Sequence, residues 1–293
     1  MVAMDARNFF RNAALYVCAG VITGSVSAAL IASSSVSIPA AMTAPVSAPP
    51  HTPSAPASTP AAADSSAPDD SSSAPGNTLA PSTAAGSWSW CGSSGGFHQY
   101  TGFDLYNNEW NTAGNPAPDK ICGNSQSDWE VISNQRAGNT AVLTYPSVQQ
   151  NYSPNVTISS MAKLTSTYAE NMHATSGTDA EAAYDLWTTN NANEIMFWVD
   201  NHGQTPAGSQ VATVSFGGLT WHLYVGASTD SFVLDHNAES GTVDLLAGLQ
   251  YLENHGGYLP KSAQLQQASF GWEICSTGGT PEAFKMDAYT LAS

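Results

Sequence analysis

"NEIMFWVD", residues Asn193–Asp200, is the stretch on which the reading of the fold turns. β-Branched and aromatic side chains, with no Gly or Pro among them, suit an extended strand packed in a sheet. Residues two apart share a face of a strand, so Ile195, Phe197 and Val199 point one way. Glu194, Met196, Trp198 and Asp200 point the other. The first set is a core face. The second places a carboxylate beside a thioether and an indole, which is how a sugar-binding cleft is lined. A strand-end glutamate exposed to solvent is the plain alternative.

Outward from this strand the same alternation recurs between turn residues. It predicts strands at Gln99–Tyr106, Trp129–Asn134, Ala141–Tyr145, Met161–Thr167, Ala182–Thr188 and Gln210–Phe216. Further strands are expected at Leu219–Gly226, Ser231–Asp235, Ala268–Cys275 and Phe284–Leu291. Gly217-Gly218 is a direct hairpin signal. One segment differs: "TVDLLAGLQYLENHGG" carries Leu245, Leu246, Leu249 and Leu252 at helical spacing, with Gly256-Gly257 to end the helix. Many strands and one short helix predict an all-β sandwich or jelly roll.

The chain's 293 residues divide by composition into three parts. Arg7 and Arg11 precede an apolar stretch from about Ala13 to Ser34, which reads as a signal peptide over residues 1–40. A membrane anchor is the rival reading, weakened by the Gly, Ser and Thr content. Residues 41–85 are almost only Ala, Pro, Ser and Thr, a composition expected of a disordered linker. The folded domain is then 86–293, in a secreted, extracellular protein. Lys and Arg total 7 against 23 Asp and Glu, a net charge of −16, which speaks against a nucleic-acid partner. Cys91 and Cys122 bracket the first hairpin and are expected to form a disulfide. Cys275 is left over, and no Cys/His spacing resembles a metal site.

A second strand repeats the anomaly of the first. In "SFGWEICSTGG", Ser269–Gly279, Phe270, Trp272 and Ile274 face one side, and Gly271, Glu273 and Cys275 the other. Bare Gly271 leaves room beside Glu273 for something to approach. Two glutamates on strands of one sandwich are the minimal equipment for hydrolysing a glycosidic bond. A β-1,4-xylanase and a non-catalytic carbohydrate-binding β-sandwich remain as alternatives. The latter has no use for both glutamates. Among the tryptophans, Trp90, Trp129, Trp187 and Trp272 are assigned to structure, and Trp110 to sugar stacking.

Six motifs carry a resemblance over nearly all of 86–293. "NNEWN" (Asn107–Asn111), "AYDLW" (Ala183–Trp187), "EIMFW" (Glu194–Trp198), "PAGSQ" (Pro206–Gln210), "GGLTWHLYVG" (Gly217–Gly226) and "GWEICSTGG" (Gly271–Gly279) resemble, in order, glycoside hydrolase family 12. The resemblance implies a concanavalin-like β-jelly roll with an open cleft, and a retaining endo-β-1,4-glucanase or xyloglucanase acting without a cofactor. It makes Glu194 the nucleophile, Glu273 the general acid/base and Asp185 the aspartate beside the nucleophile. Asn108, Trp110, Met196, Trp198 and Pro206 match groove-lining positions. The short connection from Asp185 to Glu194, and His222 after its Trp, depart from the pattern and bear on substrate preference. A β-glucan is the expected partner, for a monomer with no stable membrane partner and no metal.

Overall fold

The computed structural model describes residues 87–93, 95–112 and 119–293. The segments read as signal peptide and linker lie outside the described residues. In chain order the strands are β1 (Trp90–Gly92), β2 (Phe97–Tyr100), β3 (Phe103–Tyr106), β4 (Lys120–Ser125), β5 (Asp128–Ser133), β6 (Ser147–Thr157), β7 (Thr165–Asn171) and β8 (Thr178–Thr188). They continue with β9 (Glu194–His202), β10 (Ser209–Phe216), β11 (Leu219–Val225), β12 (Thr229–Leu234) and β13 (Ser240–Asp244). Helix α1 (Leu245–Asn254) precedes β14 (Gln264–Thr277) and β15 (Glu282–Ala292).

These strands form two sheets. A six-stranded sheet has the order β1-β4-β5-β15-β7-β13, and a nine-stranded sheet the order β10-β11-β12-β9-β8-β14-β6-β3-β2. All pairings are antiparallel except that of β9 with β12. The inner faces meet in one core, where Phe197 stacks on Phe232 with ring centroids 4.9 Å apart, and Trp129 meets Trp272 edge-on, also at 4.9 Å. Fully burying an aromatic or branched side chain contributes about 1.5–3 kcal/mol, so this core outweighs any single surface contact. The architecture is the expected jelly-roll sandwich with one short helix.

Local chemistry explains the elements. Gly217 and Gly218, at φ +60° and +79°, make the two-residue turn joining β10 to β11. Asp244 caps α1 by accepting from the Ala247 N–H, and the helix buries Leu245, Leu246, Leu249 and Leu252. Strand β6 was hidden in the sequence by its polar run and Pro154. Its ladder with β14 lapses between Asn151 and Val156, where Pro154 has no N–H to give. Ala141–Tyr145 forms only an isolated bridge from Thr144 to Ile274, extending the β6 edge of β14.

Cys91 and Cys122 are bonded, as register partners of β1 and β4 with Cα atoms 4.1 Å apart. Closing that loop stabilises the domain by roughly 3–4 kcal/mol on the chain-entropy estimate.

Candidate active site

The face of the nine-stranded sheet turned away from the core collects the residues singled out by the sequence. Strand β9 contributes Glu194, Met196 and Trp198; β8 contributes Glu181, Ala183, Asp185 and Trp187; β14 contributes Gln267, Ser269, Gly271 and Glu273. The register sets Trp187 opposite Glu194, Asp185 opposite both Met196 and Ser269, and Glu181 opposite Glu273. Ala183, Met196 and Trp198 form a small apolar patch, with Val233 against it.

Asp200 does not join this face. Between Ala182 and Ala183 the β8–β9 register slips, so that Ala182 pairs with Asp200 and Ala183 with Trp198, leaving Val199 as the extra residue of a bulge. Ala182 belongs to the core face, and Asp200 goes with it. There it neighbours Glu170 of β7 in the other sheet. Glu170 also accepts from the Trp272 indole N–H at 2.9 Å, which ties the strand behind Glu273 across the core.

The carboxyls on the outer face are enclosed. Glu194 and Asp185 are only 4 and 7 % exposed, while Glu273 keeps part of its side chain open. Glu194 Oε2 accepts from the Thr229 hydroxyl at 2.5 Å, and Asp185 Oδ2 from the Trp187 indole N–H at 2.8 Å. The Trp198 indole N–H points at Met196 Sδ, 3.5 Å away. Burial, then the charge of Glu273, pushes Glu194 up to about 8, with the Thr229 bond pulling against the rise. Burial likewise carries Asp185 to about 8, opposed by the Trp187 bond and helped by Glu273. Glu273 is raised chiefly by burial, and Glu181 across the strand pair works against the rise. Glu194 and Asp185 each feel the charge of Glu273. They titrate as a group, and below about pH 8 the group holds fewer charges than carboxyls.

Several side chains fall differently from their sequence reading. Trp187 is half-buried on the site face rather than in the core, and orients Asp185. The space beside Gly271 is taken by the chain itself. A Cβ there would sit 2.0 Å from the Pro146 carbonyl oxygen and 2.7 Å from Ser147 Cα. What approaches Gly271 is therefore Pro146–Ser147, and the preceding Tyr145 sends its hydroxyl to the Ala183 carbonyl at 3.0 Å. Cys275 is a bulge residue of β14, buried, with the Gln204 amide on its sulfur.

Asn108 and Trp110 lie on a segment alongside: the Tyr145 N–H donates to the Asn108 carbonyl, and the Asn111 N–H to that of Leu143. Glu109, by accepting from the Asp119 N–H, and Asn107, by donating to the Asp119 carbonyl, anchor this segment. Pro206 sits in the β9–β10 loop two residues past Gln204, whose bond to Cys275 holds the loop near β14. The sequence reading missed Glu181. Alternation along β8 puts it on one face with Asp185, but its partner appears only once β8 is paired with β14.

Raised carboxyls have a consequence for stability. Asp185, Glu194 and Glu170 are raised to about 8, and Asp119 and Asp230 to about 6, all chiefly by burial. Below about pH 4 these groups are protonated in folded and unfolded chains alike, and their contribution is complete. As pH rises, the unfolded chain ionises first, so stability is lost progressively up to about pH 8. Each pKa unit is worth about 1.4 kcal/mol. The melting temperature should therefore be higher at pH 5 than at pH 8, by at least about 10 °C. Scanning calorimetry across that range checks it, and a melting temperature that climbs towards pH 8 contradicts it.

Among the described residues no group of three or more His, Cys, Asp and Glu side chains is arranged to hold a metal ion. No helix among them is long and apolar enough to cross a membrane.

With this geometry in place, comparison with known proteins is specific. Residues 101–292 match the model of glycosyl hydrolase family 12. A xyloglucan-specific endo-β-1,4-glucanase A of Emericella nidulans is 32% identical over 210 residues, 65% of this chain and 85% of the relative. A xyloglucan-specific endo-β-1,4-glucanase 1 of Phytophthora nicotianae is 30% identical over 228 residues, 71% of this chain and 90% of the relative. In fold, the chain resembles a family 12 xyloglucanase from Bacillus licheniformis with a TM-score of 0.63 at 22% identity, covering 69% of this chain and 99% of that one. Endoglucanase 3 of Trichoderma harzianum gives 0.63 at 21% identity, covering 69% and 96%.

Proposed function

The chain belongs to glycosyl hydrolase family 12, and from that membership we propose that it is an exported, endo-acting β-1,4-glucan hydrolase that retains anomeric configuration. The observation that carries the reading is the enclosed pair Glu194 and Glu273, on one sheet face and within reach of each other's charge. Glu194, ionised, attacks the anomeric carbon while Glu273 gives its proton to the departing oxygen. Water then attacks the glycosyl-enzyme, with Glu273 taking its proton. Retention calls for the two carboxyls to lie about 5–5.5 Å apart, with no room for water between nucleophile and sugar. Trp187, Thr229 and Asp185 set the nucleophile's surroundings. Trp110, Asn108, Met196, Trp198 and Pro206 line the path of the polysaccharide. Several relatives are named for xyloglucan, which makes it the first β-glucan to try. The bonded pair Cys91–Cys122 supports an oxidising destination.

The test is viscometry paired with a reducing-end assay on xyloglucan, mixed-linkage β-glucan, carboxymethylcellulose and xylan. Viscosity of a β-glucan should fall well before many reducing ends appear. Cleavage of xylan alone would move the assignment to a xylanase, and binding without cleavage of any of the four would leave a carbohydrate-binding sandwich.

A further inference from the structure

Glu181 stands directly across from Glu273 where β8 pairs with β14, and it is fully buried. Like charges directly opposite on neighbouring strands repel. A buried charge without compensation adds to that cost. Two carboxylates are therefore untenable at this position, and a retained proton removes the conflict. At this register a hydrogen bond from one carboxyl to the other is the contact that would relieve both. A carboxylate has no hydrogen to donate, so such a bond requires one member of the pair to be protonated.

We propose that Glu181 is a positioning residue for Glu273, keeping a proton of its own and donating it across the strand pair to the Glu273 carboxylate. The inference rests on the reading of Glu273 as the acid/base. Other titratable groups facing Glu273 are Glu194 on β9, Asp185 on β8 and Tyr145 on the segment beside β14. On its β9 side Glu181 meets Asn201, which is uncharged. Ionised Glu194 and Asp185 resist a further negative charge on Glu273, as does burial. Glu181 works in the opposite sense and favours the Glu273 carboxylate. That assistance belongs to the first half of the cycle. In the first step Glu273 gives its proton to the departing oxygen and becomes a carboxylate, which the Glu181 O–H stabilises. In the second it takes a proton from the attacking water, and the proton of Glu181 never leaves the pair.

The measurement is the pH dependence of kcat/KM on a soluble β-glucan for Glu181→Leu and Glu181→Gln, each first shown to melt cooperatively. The basic limb reports proton loss from the acid in the free enzyme. Glu181→Leu removes the donor, so that limb should move up by about one pH unit. Glu181→Gln keeps an N–H donor, so its limb should stay close to that of the parent. A space-filling role for Glu181 would change rates without moving the limb. A limb that stays in place or moves down in Glu181→Leu overturns the proposal. Should the leucine variant not fold, 13C-carboxyl titration of the parent and the glutamine variant decides. Glu273 should respond to one step fewer in Glu181→Gln than in the parent, and an equal number of steps in the two overturns the proposal. Full activity in Glu273→Gln would remove the acid/base reading itself, whereas normal loss there with an unmoved limb in Glu181→Leu removes the Glu181 inference alone.

Discussion

Glu194→Gln should lower turnover on every β-glucan by roughly four to five orders of magnitude, about 5.5–7 kcal/mol of transition-state stabilisation, without unfolding the domain. The two halves of that expectation have separate grounds. The amide has the shape of the carboxyl and keeps an oxygen to accept from the Thr229 hydroxyl, so the strand pair β9–β12 retains its side-chain link. Removing an enclosed ionisable group also takes away one contributor to the loss of stability at neutral pH. The melting temperature near pH 7 should accordingly hold or rise slightly. The amide is no nucleophile towards an anomeric carbon, however, and no glycosyl-enzyme forms. Activity within tenfold of the parent, in a variant that melts like it, would mean that Glu194 is a structural carboxyl.

How much of this was legible in the sequence depends on which interactions are local to one strand. The faces of β9 could be read as far as Trp198, because alternation is a property of the strand itself. It failed at Asp200, because the bulge at Val199 exists only in the pairing with β8. Glu194 and Glu273 were visible as carboxyls embedded among apolar neighbours. Glu181 was less visible, and its meaning was not: the carboxyl it faces comes from a strand more than 80 residues later. Trp187 and Trp272 look alike in the sequence, each in an apolar run. One reaches a carboxylate on the site face and the other a carboxylate across the core. The room expected at Gly271 was a property of one residue, and its filling by Pro146 a property of the neighbouring strand. The fold class survived such errors because it rests on many alternations, whereas the site depends on the few places where register decides.

The roles of the two glutamates separate most sharply when Glu273 is shortened. Glu273→Ala removes the proton donor, and on a polysaccharide, whose leaving group is a poor sugar alkoxide, the rate should fall by roughly two to four orders of magnitude. An aryl β-cellobioside with a low-pKa phenol hardly needs that proton for its first step. The variant should therefore release a burst of phenol equal to the enzyme present and then stall, since water attack on the glycosyl-enzyme still lacks its base. Azide fits the vacated space, is anionic and needs no base to attack. It should restore turnover and yield a glycosyl azide of retained β configuration, readable by NMR. In Glu194→Ala the same anion can only enter from the nucleophile's side, displacing the phenol directly to give the inverted α-azide. The configuration of the azide thus assigns each carboxyl without reference to rate. If Glu273→Ala yields the α product and Glu194→Ala the β product, the nucleophile and the acid/base are exchanged.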